Sequence, residues 1–430
     1  MKRAIAPLLL LITLGAEAQT RLTFDEALTR AMTVNNVVER SRSEIGVAEA
    51  QKLFLLSAVL PRITMNGALT RNSIEQTFGE GDEGITILPR NDWNYNVTLS
   101  QPIFAGRREL RAYSQARLGV DNAVIGVRSA EDAILLRVAS SYLAAVNADA
   151  RIEVERRNIE IAQRSLNQAR AFYEAGEVTR VDVLRAETGI KAAQRLLAAA
   201  EQQREGAVAQ LREDLQLDGE IAVASPERSL PPLPSEAELI ARATGARPDV
   251  DLAENNLRIA ELEVSKQRGY WLPTVTFDGG FIHQRTPFPA NRYSYGALRF
   301  NVPIFQAGEV IARVAGAKER EKQAELQLEE TQLTAREDVR RAFADLESAA
   351  TGLSLANDQM AAAQAEYDQV FELYRAQEAT SLDLAASEAS LANARRAVAE
   401  ETLNRDLAAL RVWFAAGALK EAVGIGSNQQ

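Results

Sequence analysis

Two stretches of this chain carry side chains whose types and spacing could do chemistry as a set. They are YEAGEVTRVDVLRAE, Tyr173 to Glu187, and YRAQEATSLDLAASE, Tyr374 to Glu388, 201 residues apart. Each holds a Tyr, a Thr six residues on, an Asp three after that, and then a Glu. A Thr with an acid three residues later is the sign of a helix start: each side chain satisfies an N–H at the other's position. Ala175-Gly176 has the form of a helix end, where Gly suits the left-handed backbone; Gln377 takes that place in the second copy. So the phrase reads first as a turn between two helices, with Thr179 and Thr380 as caps worth ~1 kcal/mol each. A second reading is compatible with the first. A carboxylate such as Asp383, repeated around a symmetry axis, repels its copies and attracts cations.

Other chemistries find no support. There is no Cys, which excludes disulfides, thiol catalysis and lipid attachment at a Cys. A single His, His283, does not make a zinc or copper site, and it reads as a polar residue at a strand end. No Ser/His/Asp set, Gly-rich phosphate loop or metal cluster is visible. The carboxylates lie along helix faces among opposite charges, as solvated faces do. An enzyme is not expected, nor is a cofactor.

The elements around the two phrases come from the ends inward. Lys2 and Arg3, the apolar run Ala4 to Leu14 and then Ala16-Glu17-Ala18 have the form of a secretory signal peptide, residues 1–18. Its removal takes the formal charge from −10 to −11. An acidic exported chain does not point to nucleic acid. Beyond the signal no apolar run is long enough for a transmembrane helix, which leaves a β-barrel as the way to span a membrane.

A long internal repeat sets the architecture. AVLPRITMNG (58–67) matches YWLPTVTFDG (270–279) at an offset of 212, and PIF recurs at 102–104 and 303–305 at an offset of 201. The difference falls between Pro61 and Pro102, in one hairpin loop. The expected domains are a first repeat at 19–225 with a β-hairpin at about 62–104, a Pro-rich linker at 226–247, a second repeat at 248–415 with a hairpin at about 273–305, and a tail at 416–430. No Pro occurs from Ile103 to Ser225 or after Pro303. Those stretches are rich in Ala, Leu, Glu, Gln and Arg, which is helix composition. Arg107 to Ala175 could run ~100 Å as one helix.

The hairpin strands are long enough for a tilted membrane strand. Val275, Phe277 and Phe281 share one face, and Thr274, Thr276 and Asp278 the other; Trp93, Tyr95, Tyr293 and Tyr295 near strand starts suggest an aromatic girdle. Four strands cannot close a barrel, and lipid does not tolerate an open edge. The chain is therefore expected to oligomerise, and a trimer would supply twelve strands.

At this point the chain resembles the TolC-like outer-membrane efflux protein family over about residues 22 to 415. The resemblance rests on LTFDEAL near the start, the two LP-to-strand junctions, the two PIF strand exits and the paired Y-x-x-G/Q-x-x-T-x-x-D phrases. It implies a mixed fold, a long α-helical barrel fused to a β-barrel formed by a homotrimer with four strands per chain. It also implies a passive exit duct through outer-membrane lipid, docked to a periplasmic adaptor (membrane fusion protein) that serves an inner-membrane transporter. Lacking a Cys, this chain is similar to the unlipidated members. The resemblance implies a periplasmic gate at Asp182, Tyr374 and Asp383. Asp182 would hold the helices closed, Tyr374 would be its phenolic counterpart, and Asp383 would form the acidic constriction. The turns with Gly176, Thr179, Gln377 and Thr380 would meet the adaptor. Where the family pattern has a second Asp and an Arg, this chain has Ala386 and Ala379, so fewer charge locks and one acidic ring are expected. A periplasmic coiled-coil tether or adaptor is the rival reading; it shares the helices but does not need two membrane-length hairpins.

Overall fold

The computed structural model describes residues 20–79, 85–224 and 230–425. The signal-peptide segment, most of the GEGDEG loop, residues 225–229 of the Pro-rich linker and residues 426–430 lie outside the described residues. The chain runs β1 (Thr20–Leu22), α1 (Phe24–Val34), α2 (Asn36–Ser57), β2 (Arg62–Arg71), β3 (Gln76–Phe78), β4 (Ile85–Leu88), β5 (Asn91–Ala105), α3 (Arg108–Glu174) and α4 (Arg180–Leu215). It continues through β6 (Ile221–Val223), α5 (Glu236–Ala246), α6 (Pro248–Arg268), β7 (Thr274–Gln284), β8 (Arg292–Asn301), α7 (Glu309–Arg375), α8 (Ser381–Ala415) and α9 (Leu419–Ala422).

Two helices of 67 residues, α3 and α7, are the spine of the molecule. Each is Pro-free and so keeps its hydrogen-bond ladder intact for about 100 Å. The shorter α2 and α4 lie along α3, and α6 and α8 along α7; α3 also packs on α6 and α8, which joins the two repeats. Half of the buried positions of α7 are Ala, among them Ala317, Ala335, Ala342 and Ala363, so its neighbours approach closely. Pro248 opens α6 at its first position, where a missing N–H costs nothing.

The main core forms a belt along the helices, where α1, α5 and α9 wrap around α3, α4, α7 and α8. Leu28, Leu135, Leu211, Leu239, Leu410 and Leu419 are fully buried there. Tyr142 anchors the belt. Its hydroxyl lies 2.9 Å from the Leu22 carbonyl and 2.6 Å from that of Ala224, and it donates to one at a time. Leu22 ends β1 and Ala224 follows β6, so the bond closes the end of this short parallel pair. Burial pushes the Tyr142 phenol up to about 12.

The strands form an antiparallel sheet in the order β2-β5-β7-β8. Val97 lies opposite Phe281, Phe277 opposite Leu298, and Leu69 opposite Trp93, so these side chains share one face. The other face is polar. Thr64 bonds Thr98 at 2.7 Å, Asn66 bonds Asn96 at 3.2 Å, Ser100 donates to Asp278 at 2.7 Å, and Arg299 pairs with Asp278 at 2.9 Å. Tyr293 and Tyr295 differ from the girdle expectation. They lie opposite Ile282 and Gly280, on the polar face, while Trp93 and Tyr95 are on the apolar one.

The repeats differ in two further ways. The longer loop of the first hairpin carries its own small sheet of β3 and β4. And the first PIF continues β5, pairing with Thr274–Thr276, whereas the second PIF falls outside β8, which ends at Asn301. The cause is pairing: the first PIF has β7 beside it, and β8 is the last strand of the sheet. Among the described residues no helix is long and apolar enough to cross a membrane.

Candidate functional site at the helix tips

Both phrases sit where a long helix turns back into a short one. In the first turn Gly176 N–H bonds the Tyr173 carbonyl at 3.0 Å and Glu177 N–H bonds that of Phe172 at 2.9 Å. The second repeats this with Gln377 to Tyr374 at 3.1 Å and Glu378 to Leu373 at 2.8 Å. This is a Schellman end, and it needs a left-handed residue. Gly176 has φ 76° and Gln377 has φ 64°, so the glutamine adopts a backbone that glycine takes without strain.

The helix starts are capped as the spacing predicts. Thr179 donates to Asp182 Oδ2 from N at 3.0 Å and from Oγ1 at 2.7 Å. Thr380 does the same to Asp383 Oδ2 at 3.0 and 2.6 Å, and Asp383 N–H returns a bond to Thr380 Oγ1 at 3.2 Å.

There the likeness ends. Asp182 is half-buried, and its other oxygen accepts from the Ser381 hydroxyl at the start of α8 and from Arg185 Nη1 at 3.3 Å. Arg185 also donates to Ser381. Next to this set, Gln377 Nε2 donates to the Glu177 carboxylate. Three side-chain hydrogen bonds therefore tie the first tip to the second within one chain. Hydrogen bonds from Ser381 and Thr179 hold the Asp182 carboxyl below its usual range, with Arg185 adding. Asp383 is exposed. Its carboxyl is also lowered, by Thr380 alone, and one oxygen stays open to solvent.

Tyr374 is 3% exposed and packs edge-on against Phe172 at 5.6 Å, in a small tip core with Tyr367, Leu384 and Leu391. Burial raises its phenol, and the charges of Asp182 and Glu388 add to the rise. No hydrogen bond joins it to Asp182; the partners that Asp182 meets are Ser381, Thr179 and Arg185. Higher up, Glu388 accepts from Ser165, and Arg396 reaches the buried Glu155 at 3.2 Å, which fastens α8 to α3. Burial raises the Glu388 carboxyl against the pull of Ser165 and Arg164.

Sequence reasoning thus placed Gly176, Thr179, Gln377, Thr380, Asp182, Tyr374 and Asp383 in the turns or beside them. It missed Ser381, Arg185 and the Glu177–Gln377 link. Where Ala379 replaces an expected Arg, Arg185 supplies a guanidinium from the other hairpin.

A long helical body, a four-stranded sheet with one apolar face and polar-locked tips together define an outer-membrane channel protein of the helical-tunnel class. The family model described as outer membrane efflux protein matches residues 35–215 and 239–418, and the chain belongs to that family. It is 25% identical over 387 residues to the outer membrane efflux protein BepC of Brucella suis biovar 1, covering 89% of this chain and 82% of that protein. It is 24% identical to the alkaline protease secretion protein AprF of Pseudomonas aeruginosa over 387 residues, 85% of this chain and 78% of that one. Among solved structures, the open-state MtrE outer membrane channel of Neisseria gonorrhoeae superposes with a TM-score of 0.77 at 19% identity, covering 92% of this chain and 89% of that chain. The protein resides in the outer membrane and extends into the periplasm; it is a channel rather than an enzyme.

Proposed function

We propose that three copies form the exit duct of a tripartite efflux or type I secretion system. A periplasmic adaptor would connect the duct to an inner-membrane transporter, and substrates would pass through passively. The observation that carries this reading is the sheet with two free edges, β2 and β8, and an apolar face. In lipid such edges must pair. The internal repeat supplies the partner: β8 corresponds to β5 and β2 to β7, so β8 of one copy stands to β2 of the next as β5 stands to β7. The second PIF fits this, with Ile304 94% and Phe305 86% exposed and no strand beside them. Val47, Leu53 and Phe54 on α2 are likewise uncovered, on the side where a second copy's α7 would lie.

The gate follows from the same symmetry. Asp182 with Ser381 and Arg185 holds the two tips of each chain together, and Asp383 narrows the axis. An adaptor that binds the turns 174–181 and 375–382 better in the open arrangement shifts the population toward it. The relatives' names, one for efflux and one for protease secretion, support export of cargo chosen by the transporter.

Val97 lies opposite Phe281, and the corresponding pair across copies is Leu298 and Leu69. The chain has no Cys, so a Leu69→Cys/Leu298→Cys variant tests the seam directly. Oxidation is expected to give a covalent trimer on a denaturing gel. Monomers alone, from a variant that still migrates as a heat-modifiable oligomer, would overturn the seam.

A further inference from the structure

The apolar face of the sheet ends in a basic rim. The positions on this face are Ile63 to Arg71 on β2, Asn91 to Leu99 on β5, Val275 to His283 on β7 and Arg292 to Phe300 on β8, taken alternately. Arg285 follows on the same side, its N–H bonded to the Trp93 carbonyl at 3.0 Å. Charged groups occur among these positions only at the end away from the helices. They are Arg71, Arg285 and Arg292, with no carboxylate among them. All three are exposed, and among the described residues none makes an ion pair or a side-chain hydrogen bond.

The rim has a floor. Trp93 stacks near Tyr95 with ring centroids 6.1 Å apart, and His283 packs on both at 4.8 and 5.0 Å. Tyr95 Oη lies 2.9 Å from His283 Nδ1. With the hydroxyl donating to Nδ1, the imidazole keeps its proton on Nε2 and offers a further donor. Register brings these groups together. Arg292 lies opposite His283, and direct cross-strand neighbours are about 5 Å apart. Arg285 is the next same-face residue after His283, about 7 Å along the strand. Arg71 is diagonal to Trp93 across the β2–β5 pair, about 7–8 Å away. The long Arg side chains cover these gaps.

We infer that this rim binds the phosphate groups of an outer-leaflet glycolipid, with Arg71, Arg285 and Arg292 as the phosphate donors and Trp93, Tyr95 and His283 as the platform under the sugar. The chemistry is that of guanidinium with phosphate, planar and charge-assisted. The placement is that of a headgroup: above the apolar band, at the level of the aromatic girdle, on the side turned to lipid. The three arginines share this face with the stacked rings and with no carboxylate at its described positions. The inference rests on the sheet's spanning the outer membrane as proposed above.

The test uses the full-length oligomer in detergent, with native mass spectrometry counting retained diphosphoryl lipid A. The wild-type protein is expected to retain it, and to retain its dephosphorylated form at least tenfold less. Millimolar inorganic phosphate is expected not to displace it. An Arg71→Gln/Arg285→Gln/Arg292→Gln variant should lose the retained lipid, while the corresponding Lys variant keeps part of it. Equal retention of the dephosphorylated lipid, displacement by inorganic phosphate or undiminished binding by the Gln variant would overturn the inference. Oligomer migration and single-channel conductance, read on the same samples, report separately on the channel assignment.

Discussion

Tyr173 and Tyr374 hold the same place in the two copies of the repeat, yet one is 47% exposed and the other 3%. Asp182 and Asp383 diverge in the same way: the first is held by a side chain of the other hairpin, and the second only by its own cap. Backbone geometry does not separate them, since both turns have the same Schellman end and the same Thr-to-Asp cap. The environment does. The second tip leans on α3, which covers Tyr374 with Phe172, whereas Tyr173 has no such cover in its own chain. The two copies share the local instruction, and packing gives each a different environment.

The largest expected difference between the copies is in the aromatic pair. Truncating a buried aromatic costs about 3–5 kcal/mol, and an exposed one within about 0.5 kcal/mol. Tyr374→Ala should loosen the whole tip core, and Tyr173→Ala should hardly register. Hydrogen exchange of amides in residues 160–175 and 380–395 reads this. Equal loss of protection in the two variants would mean that Tyr173 is covered in the assembly, and the contrast would belong to the lone chain only.

Next come the carboxylates. A hydrogen bond to a charged group contributes about 1.5–3 kcal/mol, less where water reaches it. Asp182→Ala should therefore raise resting conductance in planar bilayers by about tenfold, the equivalent of ~1.4 kcal/mol. Asp383→Ala should leave closed conductance nearly unchanged and reduce cation preference, read as a smaller reversal potential in a salt gradient. The division of labour is wrong if Asp182→Ala keeps the closed conductance of the parent or if the two variants exchange phenotypes.

A smaller effect separates the turn residues. A Cβ at Gly176 meets nothing within 4 Å, so Gly176→Ala is penalised by its φ of 76° alone. That is about 1 kcal/mol. Gln377→Gly removes a comparable strain but also the link to the Glu177 carboxylate, an exposed bond that water weakens to about 1 kcal/mol, so its net change should be close to zero. Thermal unfolding of the two variants should show a lower midpoint for the first only.

What could be read in advance follows a physical divide. Caps, helix ends and the lengths of α3 and α7 are set by residues within a turn of one another and by the absence of proline, so they stood in the sequence. The two faces of the sheet were legible from alternation, and closer attention to it would have put Tyr293 and Tyr295 out of phase with Leu298 and Phe300. Ser381 and Arg185 were not legible: the bond from Ser381 to Asp182 spans 199 residues and depends on how two hairpins meet. The second PIF, expected at a strand exit, lies outside β8 in the single chain for the same reason, since identical residues extend or stop a strand according to what lies beside them.

The smallest effect, and the one that tests both tips together, is their response to acid. Asp182 has its carboxyl lowered in the folded chain, from an ordinary value of 3.8. Its contribution is therefore complete above that value and is lost as pH falls through the lowered one. Glu388 has its carboxyl raised from 4.5, because burial outweighs Ser165 and Arg164. Its buried charge costs stability once pH exceeds the raised value, and that cost disappears as pH falls through it toward 4.5. The charged and titratable groups around the pair include Arg164 on α3, Arg185 on α4, and Tyr367 and Tyr374 on α7; the two phenols are raised and stay neutral in this range. On acidification the tip should first tighten as Glu388 takes up a proton and then loosen as Asp182 does. Amide exchange near residues 165 and 388, corrected for the intrinsic pH dependence, should pass through a maximum of protection. Glu388→Gln should abolish the rise and keep the fall, and Asp182→Asn should keep the rise and lessen the fall, leaving the part that Asp383 contributes. A monotonic profile in the parent protein would show that one of the two environments is opened in the assembled channel, and the variant that leaves the profile unchanged would identify which.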